Sequence, residues 1–184
     1  RAAGAFLFVG PDGVGKRTLA RLFAQALQCQ SDRSRPCGTC PSCQAWVRGG
    51  LTDWTAVAPT NGVLTIDVVR PTERGQTAEE DTILHRIQRR PLIARRQVVL
   101  IDEADTLTTA AANALLKTLE EPVGQTVFLL LVSSPDRLPA TIRSRCCRLD
   151  LRPLPDDVMN TLIARYMPGM KPDEAKVLSR LADG

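Results

Sequence analysis

The sequence predicts an α/β fold in which a parallel sheet is flanked by helices. Three uninterrupted apolar runs, at 5–9, 97–101 and 126–132, are rich in the aliphatic and β-branched residues of strands buried on both faces. Segments with helical periodicity, at 17–28 and 108–120, lie after the first and second of these runs. Because strands that alternate with helices form parallel sheets, this order predicts a doubly wound domain.

Length and composition are those of a globular protein with an aliphatic core. The chain has 184 residues, 43% hydrophobic and 4% aromatic content and a net charge of +4, which permits nucleic-acid contact but does not require it. No apolar run approaches the roughly 18 residues that cross a bilayer, so we expect a cytoplasmic protein without a membrane partner. Both ends stop in mid-pattern, and we expect a piece of a longer protein.

The loop after the first predicted strand has the pattern of a phosphate-binding loop. It runs from Gly10 to Thr18 and contains Gly13, Gly15 and Lys16. The glycines allow the backbone to curl so that successive N–H groups point at phosphate oxygens, and the following helix adds its positive end. Lys16 is placed for the β- and γ-phosphates of a nucleotide such as ATP or ADP.

One position departs from this pattern. A hydroxyl residue normally follows the lysine and binds Mg²⁺, but here Arg17 stands there. Thr18 comes one residue later, about 100° further round the helix. We expect Arg17 to turn towards Asp102 and replace the metal as its charge partner. Such a site would be empty or hold only phosphate or a nucleoside diphosphate, without Mg²⁺.

Polar side chains follow the other two buried strands. Asp102 would hold Mg²⁺ through water in an active phosphate-loop enzyme, and Glu103 would polarise the attacking water. Asp105 is expected to cap the next helix. Ser133 could sense a γ-phosphate, although a turn residue before Pro135 would look the same.

Four cysteines predict a structural zinc site. Cys29, Cys37, Cys40 and Cys43 form two overlapping C-x-x-C steps with a fourth cysteine upstream. This spacing brings thiolates within tetrahedral reach of one ion, and a closed four-cysteine site leaves no position for a substrate. The zinc would tie a polar insertion, 30–48, that lacks apolar residues of its own.

The remaining segments complete the sheet and begin a second domain. Pro153 and Pro155 mark a boundary near residue 152, between a core at 1–152, with the zinc module at 29–43, and a partial helical domain at 153–184. The other predicted elements are a strand at 54–59, a short strand or lead-in at 63–69, a loop at 71–80, a connection at 138–142, an extended segment at 143–145, the last strand to 151, and helices at 156–166 and 172–181.

Five blocks carry a resemblance to a known family. The chain resembles the subunits of the bacterial DNA polymerase III clamp loader, which are AAA+ proteins with a nucleotide-binding core, a helical lid and a C-terminal collar. The blocks are the loop at 10–16, the four-cysteine insertion, and the segments 99–105, 113–122 and 142–146. The resemblance implies a P-loop AAA+ core and the start of a helical lid.

The position of Arg17 separates the kinds of subunit within this family. Gamma/tau motor subunits carry a complete loop, whereas the delta-prime subunit often has a defective one, so Arg17 favours delta-prime. Lys16, Asp102 and Glu103 are all retained, which keeps a gamma/tau-type ATPase as the alternative. A delta-prime subunit would scaffold gamma/tau and delta subunits that load the sliding clamp on primer–template DNA. It would have no polymerase chemistry and little or no ATPase activity of its own.

The segment Ser144-Arg145-Cys146 is similar to the family's arginine-finger motif. By this resemblance, Arg145 would reach the γ-phosphate that a neighbouring subunit binds. A guanidinium supplied in trans neutralises charge on the transferring phosphoryl group and makes hydrolysis depend on assembly. The alternative is an ion pair with a local carboxylate such as Asp150. A zinc-dependent DNA-binding module fits poorly, because the cysteine loop lacks recognition-helix spacing.

Overall fold

A computed structural model describes residues 4–50, 53–73, 78–167 and 169. Its strands form one five-stranded parallel sheet in the order β2-β3-β4-β1-β5, which confirms the α/β fold predicted from the sequence. The strands are β1 (Ala5–Val9), β2 (Trp54–Val57), β3 (Gln97–Ile101), β4 (Thr126–Val132) and β5 (Cys147–Asp150).

Helices connect the strands and cover both faces of the sheet. The helix at the end of the described chain, predicted for 156–166, is present and has no buried residue, whereas the one predicted at 172–181 lies outside the described residues. The helices are α1 (Lys16–Gln28), α2 (Pro41–Arg48), α3 (Ile66–Val69), α4 (Ile83–Ile87), α5 (Thr109–Glu120), α6 (Ala140–Arg143) and α7 (Asp156–Tyr166).

Strand β4 divides the core into two layers. All seven of its residues are buried, and successive side chains point to opposite faces. Phe128 and Leu130 belong to the cluster that includes Leu115 of α5, whereas Leu129 packs with Ala24 of α1. The continuous apolar run is thus explained by a strand that is covered on both sides.

The carboxyl ends of the strands meet at one edge of the sheet, because the strands are parallel. Gly10 follows β1 and donates its N–H to the carbonyl of Val132 at 3.2 Å, which joins the glycine loop to the end of β4. Asp102 and Ser133 follow β3 and β4 at the same edge. This arrangement is what places residues that are distant in sequence around one pocket.

Three local features differ from the sequence interpretation. Of the two alternatives for 63–69, the strand is not formed: Leu64 forms an isolated bridge to Leu107, and helix α3 follows. The segment before β5 is not extended, because α6 ends at Arg143 and the N–H of Arg145 donates to the carbonyl of Ile142. Asp105 does not cap α5. Thr108 accepts from the N–H of Ala111, and Asp105 instead accepts from the N–H of Ser134.

Within the described ranges, no helix is both long and apolar enough to cross a membrane.

Candidate functional site

The glycines of the loop are required by its backbone shape. Gly13 and Gly15 have φ angles of 83° and 92°, in the left-handed region that side chains disfavour. Gly10 has a different constraint, since a Cβ atom there would lie 2.8 Å from the carbonyl oxygen of Leu151. The loop therefore packs closely against the backbone just after β5, an edge strand of the sheet, and α1 begins directly after Gly15.

Lys16 turns back into its own loop. Its Nζ atom donates to the carbonyls of Gly10 at 2.7 Å and Pro11 at 2.8 Å and to Ser133 Oγ at 2.9 Å. It also lies 3.3 Å from Asp12 Oδ1, and its side chain is only 10% exposed. The ammonium group is thus held by carbonyl groups of its own loop and by the side chains of Asp12 and Ser133.

Asp12 adds a carboxylate to a loop that is expected to hold anions. Its Oδ1 accepts hydrogen bonds from both Ser133 and Lys16. The Ser133 hydrogen bond and the Lys16 charge lower the pKa of this carboxyl below its ordinary value. Asp12 therefore stays ionised at neutral pH, between the two side chains that would contact a terminal phosphate.

Arg17 is paired with Asp102. Its Nε atom donates to Asp102 Oδ2 at 2.6 Å, and its Nη2 atom contacts the same oxygen. The other carboxylate oxygen accepts the N–H of Glu103 at 3.1 Å. Asp102 is 8% exposed, so both of its oxygens are engaged in a mostly buried environment. The contact that the sequence suggested between these two residues is present.

The predicted nucleotide-site residues enclose one cavity of about 290 Å³. Gly10, also predicted for the site, is not among the residues that line the cavity. Glu103 lies in the cavity wall with a φ of 47°, an uncommon conformation for a residue that has a side chain. The lining residues are Asp12, Gly13, Gly15, Lys16, Arg17, Thr18, Asp102, Glu103 and Ser133.

Arg145 lies away from this cavity, just before the amino end of β5. Its Nε atom donates to Glu120 Oε1 at 2.7 Å, and its Nη1 atom donates to the carbonyl of Thr141 at 2.6 Å. The local carboxylate is thus Glu120. Asp150, the partner considered from the sequence, pairs instead with Arg148 at 2.8 Å.

The four cysteines come together in a cluster that fits a zinc ion. Their Sγ atoms all lie within 4.8 Å of one another. The Cys29–Cys40 and Cys37–Cys43 pairs are each 4.0 Å apart, close to the roughly 3.8 Å between sulfurs in a tetrahedral site with 2.3 Å zinc–sulfur bonds. Backbone N–H groups of Cys40 and Cys43 donate to the sulfurs of Cys37 and Cys40 at 3.3 and 3.4 Å, which supports negative charge on them.

The thiols of the cluster differ in their environments. Hydrogen bonds from the backbone of Cys40 and Thr39 lower the pKa of Cys37 to about 6, whereas burial raises the pKa of Cys43 to about 12. A bound dication would compensate two of the four negative charges that four thiolates carry. Zinc would be held by these four sulfurs alone, which makes it a structural ion.

The cysteine module has an aromatic anchor that was not predicted. Trp46 of α2 packs edge-on against Trp54 of β2, with ring centroids 5.1 Å apart, and donates from Nε1 to Gln28 Oε1 at 2.9 Å. The expectation that this insertion lacks apolar residues was therefore wrong. Zinc and Trp46 together would fix the module on the sheet.

Sequence reasoning missed two carboxylates beside the predicted residues, Asp12 and Glu120. Asp12 could have been noticed as a negative charge inside a phosphate loop. Glu120 could not, because its contact with Arg145 depends on how the end of α5 lies beside α6.

Comparisons with known proteins agree with the family resemblance seen in the sequence. The family model described as DNA polymerase III, delta subunit, matches residues 1–155. The DNA polymerase III subunit tau/gamma of Haemophilus influenzae is 37% identical over 166 residues, 89% of this chain and 22% of that protein. The delta-prime subunit of Pseudomonas aeruginosa is 36% identical over 186 residues, 99% of this chain and 53% of that protein.

Solved structures show the same architecture at lower identity. A gamma subunit-related protein of Thermotoga maritima has a TM-score of 0.64 and 20% identity over 95% of this chain and 53% of that one. The Thermotoga maritima RuvB branch migration motor has a TM-score of 0.56 and 16% identity over 98% and 52%. The fold is that of AAA+ proteins, and the chain spans about half the length of these relatives or less. This chain belongs to the DNA polymerase III delta subunit family.

Proposed function

We propose that this chain is the core of a delta-prime-type clamp-loader subunit. It scaffolds the complex and donates Arg145 to a neighbouring ATPase subunit, while its own nucleotide loop does not turn over ATP. The observation that carries this proposal is the ion pair between Arg17 and Asp102. In an active site of this type, a hydroxyl group and the carboxylate of Asp102 would instead bind a magnesium ion.

The charge of Arg17 opposes a metal at that position. Two unit charges 4 Å apart interact by about 4 kcal/mol at an effective dielectric constant of 20, and Mg²⁺ carries two. Arg17 is 62% exposed, so solvent screens part of this repulsion, but Asp102 is mostly buried and already neutralised. A metal ion would have to displace the guanidinium and would still lack the hydroxyl ligand.

The position of Arg145 supports a role in trans. It lies before the amino end of β5, whereas the nucleotide loop lies at the carboxyl edge of the same sheet. The four residues of β5 span about 13 Å at 3.3 Å per residue. Because the length of β5 separates Arg145 from the edge that carries the nucleotide loop, its guanidinium is better placed to contact a phosphate bound by another subunit than one in its own loop. In the free chain, the guanidinium of Arg145 forms an ion pair with Glu120.

The wider assembly follows from the same proposal. Partners would be gamma/tau and delta subunits, and the sliding clamp and primer–template DNA would be reached through the complex in the cytoplasm. Residues 1–152 would form the AAA+ core, with structural zinc at Cys29, Cys37, Cys40 and Cys43. Residues 153–184 would begin the helical lid, of which α7 is the first helix.

A gamma/tau-type motor subunit is the second candidate. The observation that favours it is the shared cavity, in which Lys16, Asp102, Glu103 and Ser133 remain together. In that function, the subunit itself would bind and hydrolyse ATP, with Glu103 polarising the attacking water. Arg17 would have to leave Asp102 during each cycle.

ATP hydrolysis by the assembled complex tests the proposal. The chain alone should bind Mg²⁺–ATP weakly and hydrolyse none above background. Within a reconstituted complex, Arg145→Ala should slow the neighbouring site by about a thousandfold or more, because an arginine finger contributes that much to phosphoryl transfer. The ATPase rate of the complex should then fall by the share that the neighbouring site contributes, while the subunits still co-elute in size-exclusion chromatography.

Arg148→Ala provides a matched control near the same strand, since its guanidinium pairs with Asp150 instead. An unchanged ATPase rate for Arg145→Ala would refute the finger. Magnesium-dependent turnover by the chain alone would favour the motor subunit.

A further inference from the structure

A second cavity, of about 410 Å³, lies at the opposite edge of the sheet from the nucleotide loop. It opens between the amino ends of β2 and β3 and the segment that follows α4. Thr55, Gln97 and Val98 form its floor. Because the nucleotide loop follows the carboxyl end of β1, the two cavities share no residue.

Three arginines give this cavity its charge. Arg86 lies in the last turn of α4, and Arg89 and Arg90 follow that helix within one further turn. Two carboxylates, Asp53 and Asp81, also line the cavity. Asp81 pairs with Arg86 and Asp53 accepts backbone N–H groups, and the three arginines outnumber these two carboxylates by one.

Asp53 is committed to the backbone of the cavity wall. Its side chain is buried and accepts the N–H groups of Leu92, Ile93 and Ala94 at 2.7, 2.8 and 2.7 Å. Three hydrogen bonds to one carboxylate fix the shape of this segment. The wall that carries Leu92 is therefore rigid before any ligand binds.

The guanidinium groups have donors to spare. Asp81 accepts from Arg86 Nη2 at 2.5 Å, but Arg86 Nε is buried and has no hydrogen-bond partner among the described residues. Arg89 Nη2 lies 3.1 Å from His85 Nε2. For Arg90, no ion pair is found within the described part of the chain. Arg86 Nε is enclosed by protein atoms, so a ligand in the cavity would meet the outer guanidinium nitrogens of Arg86, Arg89 and Arg90.

We propose that this cavity binds a phosphate group, carried by a free nucleotide or by the backbone of a nucleic acid. Guanidinium groups bind phosphate oxygens in pairs of parallel hydrogen bonds, and here three of them converge on one cavity. The volume lies within the range of small-ligand sites and suits a mononucleotide unit. A free nucleotide and a nucleic-acid backbone would be bound through the same phosphate contacts and differ only in the groups attached to the phosphate.

The test uses the full chain with Lys16→Ala, which removes the lysine of the nucleotide loop from every sample. Inorganic pyrophosphate is titrated by calorimetry, and a fluorescein-labelled single-stranded oligothymidylate by anisotropy, both at 150 mM salt. Arg89→Gln with Arg90→Gln should weaken pyrophosphate binding at least about tenfold, because charge-assisted hydrogen bonds are lost. Arg33→Gln with Arg137→Gln removes the same charge from exposed positions and should change binding less than twofold.

A second variant separates geometry from charge. Arg86→Lys keeps the charge but removes the planar fork, so it should also weaken pyrophosphate binding, because paired hydrogen bonds to phosphate are lost. Thermal unfolding of each variant verifies that it is folded. Arginine-dependent binding of the oligonucleotide, with pyrophosphate as a competitor, would identify a nucleic-acid backbone, and binding of pyrophosphate alone would identify a free ligand. Absence of saturable binding, or equal losses in the exposed double variant, would overturn the proposal.

Discussion

The cysteine cluster and the nucleotide pocket each gather side chains that divalent cations bind in proteins. In the cluster, four sulfurs lie within 4.8 Å of one another, and backbone N–H groups support their charge. In the pocket, Asp102 lies at the end of β3 beside Thr18 and Glu103, but the guanidinium of Arg17 already contacts it. The cysteine cluster offers ligands for a metal cation, whereas in the nucleotide pocket the side chain of Arg17 is the cation that contacts Asp102.

This difference shows that a set of metal ligands predicts a metal only where no neighbouring charge replaces it. Among the described residues, no arginine or lysine is a hydrogen-bond partner of the four cysteine sulfurs. Asp102 has one, supplied by α1 across the pocket. Under the proposed function, the single residue after Lys16 decides whether the retained frame of a phosphate loop can use magnesium.

The largest effect is expected from emptying the cysteine cluster. Cys43→Ala, or a strong chelator, should remove one equivalent of zinc and release the module from the sheet. Loss of the Trp46 packing, about 2–3 kcal/mol, would lower the melting temperature by about 5–10 °C. Metal analysis and thermal unfolding measure both. Cys147→Ser, at an exposed cysteine outside the cluster, is the control, and zinc retained by Cys43→Ala would contradict the four-sulfur site.

Restoring the hydroxyl in the nucleotide loop should give the next largest effect. Arg17→Thr removes the guanidinium from Asp102 and supplies a magnesium ligand, so affinity for Mg²⁺–ATP should rise at least about tenfold. Equilibrium binding with and without Mg²⁺ measures the change. Arg21→Thr, with the same loss of charge on the same helix, should leave this affinity unaltered. If Arg17→Thr behaves like Arg21→Thr, Arg17 does not replace the metal.

Thiol labelling sharpens the contrast at a smaller scale. In the zinc-bound chain, iodoacetamide at pH 7.5 should modify exposed Cys147 first. Cys146 should react slowly, because burial raises the pKa of its thiol to about 11. After chelation, the four cluster thiols should become reactive as well. Mass spectrometry locates the adducts, and rapid labelling of the cluster before chelation would be inconsistent with a bound ion.

The smallest effect concerns the carboxylate within the loop. Asp12→Asn removes a negative charge beside Lys16 and should raise pyrophosphate affinity several-fold, while the exposed pair contributes less than about 1 kcal/mol to stability. Since the pKa of Asp12 is lowered on folding, this stability is present above its unfolded pKa of about 3.9 and is lost as pH falls through the folded value. Urea unfolding of the wild-type chain and Asp12→Asn at pH 7 and pH 3 measures this contribution. A greater loss of unfolding free energy in the variant at pH 3 than at pH 7 would contradict the predicted sign.

Elements whose signal lies within a short stretch were predicted well. The buried strands, the glycine loop and the four cysteines depend on local pattern, and each has the predicted place in the fold. The Arg17–Asp102 contact joins residues 85 positions apart, yet it was foreseen because parallel strands end at a common edge. The sequence left the segment at 63–69 undecided between a short strand and a lead-in, since its apolar residues suit a strand as well as the short helix that forms.

The sequence alone determined the class of fold, the curled loop and the likeness to clamp-loader subunits, because these are set by residue type and spacing along the chain. Tertiary structure alone decided that Glu120 pairs with Arg145, that Asp53 holds the wall of the arginine cavity, and that Trp46 anchors the cysteine module. Those contacts depend on how separate helices and loops pack around the sheet, and no local pattern encodes that packing.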